Sequence, residues 1–323
     1  MNGADLQPGG TRASETLAAL ADLTKRLGRC GDLDEVLTTS LESLENLFHL
    51  PHSMFLMLDE TGSSLYTIAS HGYDRAGIGS EVLIGEGIIG AVASQQRPMR
   101  IGNLRTMIGY VKAIQESTVP GERLREIALP GLPTVASQLA APSMVASRLL
   151  GMLVVESEQL GAFTAMDENL LTVVAHLIAS AIELDRVSGG AGSVPHTAPP
   201  ALSSKRAMRT GGPTVASLRR FPADGSTFID SEYLIKGVAG RILWQLLNDH
   251  FEDGRTECTN REVRLDRSLE LPVYRDNLES RLVLLQRRLD ERLAPVRIRK
   301  TGRGRFRLEL DAPLTLELVD QNA

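Results

Sequence analysis

The chain has 323 residues, of which 42% are hydrophobic and 4% aromatic, and its formal net charge at pH 7 is -5. This length accommodates about two domains of ordinary size. The sequence has no run of about 18 apolar residues and no basic and apolar leader, which predicts a cytoplasmic protein without a membrane partner. Its two cysteines, Cys30 and Cys258, are too few for a disulfide framework and lie in no metal-ligand spacing.

The charge is divided unevenly along the chain. Residues 1–200 hold 13 Lys and Arg against 22 Asp and Glu, whereas residues 201–323 hold 22 against 18. The basic second part predicts a polyanionic partner. Between the parts, residues 188–216 are rich in Gly, Ser, Pro and Ala and predict a flexible linker. We therefore expect a disordered N-terminus, an N-terminal domain, the linker, a C-terminal domain and a tail, at residues 1–12, 13–187, 188–216, 217–311 and 312–323.

The N-terminal part combines helical and strand patterns. Apolar residues spaced three and four apart predict helices over 13–29 and 32–48, and Asp32 with Glu35 forms a capping-box pattern at the second of these. Strand patterns follow at SMFLMLDE, SLYTIAS, the region near 137–145 and LLGMLVVES, before a closing helix from about residue 165 to 186. Helices flanking an antiparallel sheet give an α+β fold class.

Two groups of motifs in this part match a known family. The first is GEGIIG at residues 85–90, followed by AVASQ, Pro98 and IGNL; the second is APSM, then LGMLVV and FTAMDE at residues 163–168. Together they resemble the GAF sensor domain over roughly residues 13–187. A dinucleotide site at the GxGxxG pattern is rejected, because no βαβ unit surrounds it. The resemblance implies a small-molecule effector bound between the sheet and the loop–helix region, and a homodimer formed through the end helices.

Several specialised forms of that family do not fit these residues. Bilin-attaching members use a pocket cysteine, and reductase members need several cysteines, whereas Cys30 ends the first predicted helix. Members that bind cyclic nucleotides carry an Asn-Lys pair that is missing ahead of Phe163, which disfavours such a ligand without eliminating it. No nucleophile–base pair or pair of carboxylates is placed by the sequence, so we expect no enzyme.

Metal and cofactor binding is the next alternative. His49 and His52 flank a helix-to-strand turn, His71 precedes a glycine turn, and His176 lies in an apolar helix. None has a carboxylate at a recognisable ligand spacing, so haem and iron are disfavoured and we expect no metal site. The cofactor therefore stays unknown beyond a small-molecule ligand.

An apolar pocket is the remaining expectation, with flexible methionines that adapt to an irregular ligand. The alternative is that most of these residues are simply core. The segment 104–136 is longer than a plain connector and is a candidate lid. The candidate ligand-binding residues are Phe55, Met57, Tyr66, Ile88, Met99, Met107, Tyr110, Met144 and Met152.

The C-terminal part begins with a hairpin pattern that turns at Asp230-Ser231. A helix is predicted from about residue 238 to 250, and a capping box at Thr259 starts a second short helix. A third helix starts near residue 275, and its leucines form one stripe until Pro295 ends it. Two short strands then surround a glycine turn and carry six cations. These cations are Arg297, Arg299, Lys300, Arg303, Arg305 and Arg307.

This order of elements, together with RRL at residues 287–289 and KTGRGRF at residues 300–306, resembles the OmpR-type winged helix-turn-helix over roughly residues 217–311. The resemblance implies a bacterial one-component transcription regulator. Its third helix would enter the major groove of double-stranded DNA while the wing touches phosphates or the minor groove. The candidate DNA-binding residues are Asn277, Ser280, Arg281, Arg287, Arg288, Arg299, Lys300, Arg303 and Arg305.

The sequence thus predicts a ligand-responsive transcription regulator in which a GAF domain senses a small molecule and a winged helix binds operator DNA. RNA polymerase is a further candidate partner. The alternative is an interaction or dimerisation module, in which the GAF domain binds no ligand and the winged helix contacts a partner protein. Neither the ligand, the operator nor the sign of regulation follows from the residues.

Overall fold

The computed structural model of the chain describes residues 8–104, 127–188, 215–222, 225–269, 271 and 278–319. The chain forms two compact units that meet in sequence between Glu183 and Leu184. Nearly all of the predicted linker, and most of the predicted lid, lie outside the described residues. Within the described part, none of the helices combines the length and apolar composition needed to cross a lipid bilayer.

The N-terminal unit is built on a six-stranded antiparallel sheet in the order β3-β2-β1-β6-β5-β4. Short turns join β1 to β2 and β5 to β6, residues 102–136 separate β4 from β5, and β6 pairs with β1 at the centre of the sheet. The antiparallel sheet with flanking helices confirms the predicted α+β class for this unit. The strands are β1 His52–Leu58, β2 Ser64–His71, β3 Glu81–Leu83, β4 Met99–Ile101, β5 Ser137–Val145 and β6 Arg148–Ser157.

Within the described residues, four α-helices accompany this sheet. The N-terminus of α2 is capped as predicted: the Asp32 carboxylate accepts a hydrogen bond from the Glu35 amide, and the Glu35 carboxylate accepts one from the Gly31 amide at 2.6 Å. The first helix begins five residues before the predicted domain start. The helices are α1 Pro8–Leu27, α2 Leu33–Phe48, α3 Gly87–Gln95 and α4 Ala165–Ser188.

The two faces of the sheet have different neighbours. On one, which we call the helix face, His71 Nε2 bonds Glu45 of α2 at 2.6 Å, and the Ser143 hydroxyl donates to the Ala175 carbonyl of α4 at 2.5 Å. On the other, which we call the α3 face, apolar side chains of the strands form one core cluster with α3. Residues of a strand alternate between these faces. The cluster includes Met54, Leu56, Leu65, Ile89, Val92, Ala140, Met152 and Val154.

In the C-terminal unit, the described residues form three α-helices and two small sheets, ordered β13-β7-β8-β9 and β10-β12-β11. Strand β10 lies between the first two helices in sequence and pairs with β12 of the C-terminal hairpin. The helices are α5 Gly237–Asp253, α6 Asn260–Leu265 and α7 Leu278–Glu291. The strands are β7 Ala216–Phe221, β8 Ser226–Ile229, β9 Glu232–Ile235, β10 Glu257–Thr259, β11 Val296–Gly302, β12 Arg305–Leu310 and β13 Leu314–Leu318.

Local turn and cap signals in this unit are confirmed. Thr259 and Glu262 form both hydrogen bonds of a capping box at the start of α6. Asp230 and Ser231 adopt φ of 48° and 72° between β8 and β9, as a two-residue hairpin turn requires. After α7 the chain turns through Leu293, whose φ is 49°, and then reaches the predicted helix-ending proline.

The predicted boundary of the C-terminal tail is wrong. Residues Leu314–Leu318 form β13, which runs parallel to β7 and pairs Leu314 with Ala216 and Leu318 with Arg220. The sequence pattern LTLEL has the alternation of a strand, but its partner lies almost one hundred residues earlier. A pairing between such distant segments is not visible in local sequence.

Candidate functional site

Four of the predicted pocket residues lie together on the α3 face. Met152 is fully buried in the core cluster, and Ile88, Met99 and Met144 are partly buried against it. They come from α3 and from strands β4, β5 and β6, which places them around one apolar surface. This arrangement makes the α3 face a candidate for the apolar part of a small-molecule site.

Three other predicted pocket residues belong to the opposite face. Phe55 and Met57 alternate with Met54 and Leu56 along β1, so they point to the helix face, and Tyr66 is paired with Met57 there. All three are buried core residues. Their assignment to the pocket is therefore wrong, because every second residue of a strand turns away from a given face. Met107 and Tyr110 lie outside the described residues.

A row of polar side chains continues the α3 face beyond its apolar cluster. Glu156 of β6 is paired across the sheet with His52 of β1 on one side and with Gln138 of β5 on the other. The His52 ring lies 5.8 Å from the ring of Tyr73, centroid to centroid. We call these four residues, His52, Tyr73, Gln138 and Glu156, the polar row.

Hydrogen bonds within the polar row converge on one carboxyl group. The Gln138 amide nitrogen donates to Glu156 Oε1 at 2.9 Å, and the Leu132 backbone amide donates to Glu156 Oε2 at 3.2 Å. Gln138 and Glu156 are each only 6% exposed. Two further buried atoms, Gln138 Oε1 and the Tyr73 hydroxyl, have no hydrogen-bond partner of normal geometry among the described residues.

Burial dominates the electrostatics of this row. It raises the pKa of Glu156, although the hydrogen bonds from Gln138 and Leu132 act in the opposite direction. It also raises the pKa of the Tyr73 phenol, and the neighbouring Glu156 charge adds to the effect. A buried carboxyl group beside unpartnered acceptors is costly in an otherwise apolar sheet, which marks this end of the α3 face as a candidate ligand site.

Sequence reasoning missed most of the polar row. Glu156 has the same parity as Met152 and Val154, so the LLGMLVVES pattern already contained a charged residue on a buried face. Gln138 is likewise in step with the buried Ala140. The sequence did not show that β5 and β6 are neighbours in the sheet.

The histidines examined as metal ligands are dispersed. His49 adopts φ of 59° as the C-cap of α2, and His176 Nδ1 lies 2.7 Å from the Thr172 carbonyl oxygen of its own helix. His71 bonds Glu45 on the helix face, while His52 belongs to the polar row. Within the part of the chain that the structure describes, no group of three or more His, Cys, Asp or Glu side chains is placed to hold a metal ion.

Comparison with known proteins agrees with this architecture. The GAF domain family matches residues 32–182, which contain the whole six-stranded sheet, α3 and most of α4. Residues 32–182 form a GAF domain. The family is generally one of sensor domains that bind small molecules, and the apolar α3 face with its polar row is the corresponding candidate site in this GAF domain.

Solved structures similar to this chain are GAF domains and related proteins of low identity. The GAF domain of an Acinetobacter phosphoenolpyruvate-protein phosphotransferase is 20% identical, with a TM-score of 0.44, and 55% of this chain covers 96% of that chain. Its counterpart from Coxiella burnetii is also 20% identical, with a TM-score of 0.43, and 55% of this chain covers 98% of that chain. No curated protein matches the chain.

Enzymes are also among the similar structures. Free methionine-R-sulfoxide reductase from Neisseria meningitidis, in complex with its substrate, is 16% identical, with a TM-score of 0.43, and 55% of this chain covers 93% of that chain. In the present sequence, the segment that forms the GAF domain contains no cysteine. Cys30 precedes it, and Cys258 belongs to the C-terminal unit.

The C-terminal unit carries a second candidate site, the basic hairpin formed by β11 and β12. At its turn, Arg303 and Arg305 are exposed and make no ion pair with any described residue. Two other predicted contacts are already engaged, since Arg299 bonds Glu309 at 2.5 Å and Lys300 bonds Glu279 at 2.5 Å. The charges of Arg303 and Arg305 at the hairpin turn are therefore more available to a partner than those of Arg299 and Lys300.

Three predicted contacts on α7 are not at the surface. Ser280 and Arg281 are 1% and 7% exposed, and Arg288 is 2% exposed. The Arg288 guanidinium donates to the carbonyls of Leu234 and Tyr233 at 2.8 and 3.2 Å. The expectation that these side chains point outward is wrong, because the buried side of α7 is wider than its leucine stripe. Arg287 is half-buried, and Asn277 lies outside the described residues.

An exposed cation that the sequence analysis did not select lies near the hairpin turn. Arg261 is the second residue of α6 and is exposed, without an ion pair among the described residues. The preceding residue, Asn260, donates its backbone amide to the Gly304 carbonyl at 2.9 Å, which ties the start of α6 to the hairpin turn. Arg261, Arg303 and Arg305 together form what we call the tip cluster.

Proposed function

We propose that the chain is a ligand-responsive transcription regulator of the bacterial one-component type. In it, the GAF domain binds a small molecule and the C-terminal unit binds double-stranded DNA as a winged helix-turn-helix. The observation that carries the DNA-binding half is the tip cluster, in which three arginines remain exposed while nearby cations are paired. RNA polymerase stays a candidate partner of such a regulator.

The order of elements supports the winged-helix assignment. A helix, a short strand, two helices and a hairpin follow one another, and the short strand β10 joins the hairpin in one sheet. In this arrangement α7 takes the place of the recognition helix, and the turn between β11 and β12 takes the place of the wing. Because Ser280, Arg281 and Arg288 are buried, the proposed DNA surface consists of the tip cluster and Arg299.

The exposed guanidinium groups favour a nucleic acid as the partner over a polyanion of no particular structure. Guanidinium groups on a rigid hairpin and a helix start can each neutralise a DNA phosphate, and their positions are fixed by the β10–β12 pairing. The binding constant should then fall steeply with salt, since each neutralised phosphate contributes a slope of about -0.9 in log K against log salt.

The sensor half rests on the α3 face and on the exposed end helices. Leu17 of α1 is 69% exposed, and Leu184 and Val187 of α4 are 67% and 60% exposed. Apolar side chains left in water at the ends of the domain favour a homodimer through α1 and α4. In a homodimer, a ligand that binds the two arrangements of the protomers with different affinity shifts their equilibrium and hence the fit to two half-sites.

Fluorescence anisotropy of labelled genomic DNA fragments tests the DNA-binding half. Replacing Arg303 and Arg305 by Ala together should lower the slope of log K against log salt by about two and weaken binding to all fragments. Arg307→Ala is the control, because Arg307 lies on the same hairpin but is held at 2.5 Å by Glu257; its slope should change by less than one.

Two outcomes would contradict the proposal. If the full chain binds none of the fragments at low salt, the C-terminal unit is better described as a protein-interaction module. If Arg307→Ala lowers the slope as much as the double variant, only the net charge matters and the tip cluster has no special role.

A further inference from the structure

The polar row on the α3 face has a composition that selects the chemistry of a ligand. This inference rests on the sensor role proposed above and deepens it. His52, Glu156 and Gln138 lie in one line across β1, β6 and β5, next to the loop that contributes the Leu132 amide. These three residues are therefore fixed by the sheet register, and Tyr73, which follows β2, lies with its ring against that of His52.

The hydrogen bonds inside the row commit the Gln138 and Leu132 donors and leave buried oxygen atoms without a partner. The Gln138 amide nitrogen is committed to Glu156 Oε1, so the amide oxygen is left without a partner. The Leu132 amide is committed to Glu156 Oε2. What remains unsatisfied is the Gln138 carbonyl oxygen, together with the lone pairs of the buried Tyr73 hydroxyl.

A ligand group that satisfies these oxygen atoms must supply hydrogen-bond donors and must carry no negative charge. A phosphate or carboxylate would place an anion beside the buried Glu156 carboxyl group, which the low-dielectric interior makes unfavourable. A cationic nitrogen satisfies the oxygen atoms, offsets the carboxylate charge and can lie against the tilted rings of Tyr73 and His52.

We propose that the polar row binds the cationic nitrogen of a small organic molecule, a primary ammonium or a guanidinium group, whose apolar part lies on the α3 face. The carboxyl group of Glu156, the amide oxygen of Gln138 and the hydroxyl of Tyr73 receive its N–H groups. Its carbon chain lies toward the partly buried Met99 of β4, which is paired with Ala140, two residues from Gln138.

The proposal is tested by isothermal titration calorimetry on the full chain with n-butylammonium chloride, at constant ionic strength. The uncharged n-butanol, which has the same chain length, is the probe control. We expect heat of binding for the ammonium and at least about tenfold weaker binding for the alcohol, because a charge-assisted hydrogen bond contributes roughly 1.5 kcal/mol or more.

Three variants locate the site, and one serves as a matched control. Glu156→Gln, Tyr73→Phe and Gln138→Met each remove one predicted contact, and each should weaken ammonium binding by about tenfold. Tyr73→Phe removes only a hydroxyl group, so ammonium binding can still be tested with this variant if Glu156→Gln does not fold. Glu45→Gln removes the same charge on the helix face, where Glu45 bonds His71, and should leave binding unchanged.

Several results would overturn the proposal. Equal binding of the alcohol and the ammonium would assign the site to apolar contacts alone. Unchanged binding in Glu156→Gln or Tyr73→Phe would place the cation elsewhere. If the parent binds neither n-butylammonium nor ethylguanidinium, the row is a structural network that holds an ordered water. In that case a shift of the thermal unfolding midpoint with other metabolites would still support the sensor role.

Discussion

Replacing Arg288 by Met should destabilise the C-terminal unit more than any other single arginine change in α7. The Arg288 side chain is 2% exposed, and its guanidinium holds two carbonyls of β9 as well as Glu291, at 2.6 Å. Burial lowers its pKa, and the pairing with Glu291 acts in the opposite direction. Methionine fills much of the volume but leaves Leu234 O, Tyr233 O and the Glu291 carboxylate without their donor.

The expected magnitude follows from these three contacts. Hydrogen bonds to a charged group contribute about 1.5–3 kcal/mol each, and part of that is recovered where water reaches Glu291, whose side chain is 23% exposed. Removing one partner of a buried ion pair costs about 3–5 kcal/mol in measured cases. We expect a loss of about 4 kcal/mol, which lowers the urea midpoint by about 2 M if the m-value is about 2 kcal/mol/M.

The assay is urea unfolding followed by Trp fluorescence. Trp244 is the only tryptophan of the chain and lies in α5, beneath the Arg220 guanidinium, so its emission reports on the C-terminal unit alone. Arg292→Ala is the control, in the turn directly after the same helix; Arg292 is exposed and bonds Glu232, so its loss should cost less than about 1 kcal/mol. Equal midpoints for the two variants would refute the reasoning that the buried guanidinium holds β9 to α7.

Two further predictions concern the GAF domain. Gly90→Ala should lower its free energy of unfolding by about 2–4 kcal/mol, because the new Cβ would lie 2.1 Å from the Leu83 carbonyl oxygen, whereas Gly102→Ala, with its nearest atom at 3.6 Å, should be tolerated. Urea unfolding followed by circular dichroism measures both, and similar losses would contradict the steric argument. Burial raises the folded-state pKa of Glu156, so the stability linked to its protonation is present below the unfolded pKa of about 4.3 and is lost as pH rises through the folded pKa. Glu156→Gln should therefore gain stability relative to the parent as the pH rises above about 4, and a difference that does not change with pH would argue against burial as the cause.

Features that depend on a few neighbouring residues were predictable from the sequence. The caps at Asp32 and Thr259 and the turn at Asp230 follow from side chains that bond backbone within three residues or tolerate positive φ. The GAF motifs likewise place α3 and the central strands. In each case the physical cause lies inside the segment that carries it.

Features that depend on distant neighbours were not predictable. The strand β1 is buried on both faces, so its sequence has no alternation to tell Phe55 and Met57 from the residues that face α3. The partners of Arg288 are carbonyls more than fifty residues away, which no helical pattern of α7 indicates. The polar row required the register of three strands before its residues could be seen as one site.

The parallel pairing of β7 with β13 bears on how the protein is made. The strand that follows the linker acquires its outer neighbour only when β13 has been synthesised, since the Ala216 carbonyl accepts a hydrogen bond from Thr315, 99 residues later. At translation rates of about 5–20 residues per second, that strand waits roughly 5–20 seconds with one edge open. A chain interrupted before Leu314 would keep that edge open permanently, so residues 314–318 decide whether β7 is an edge strand of its sheet.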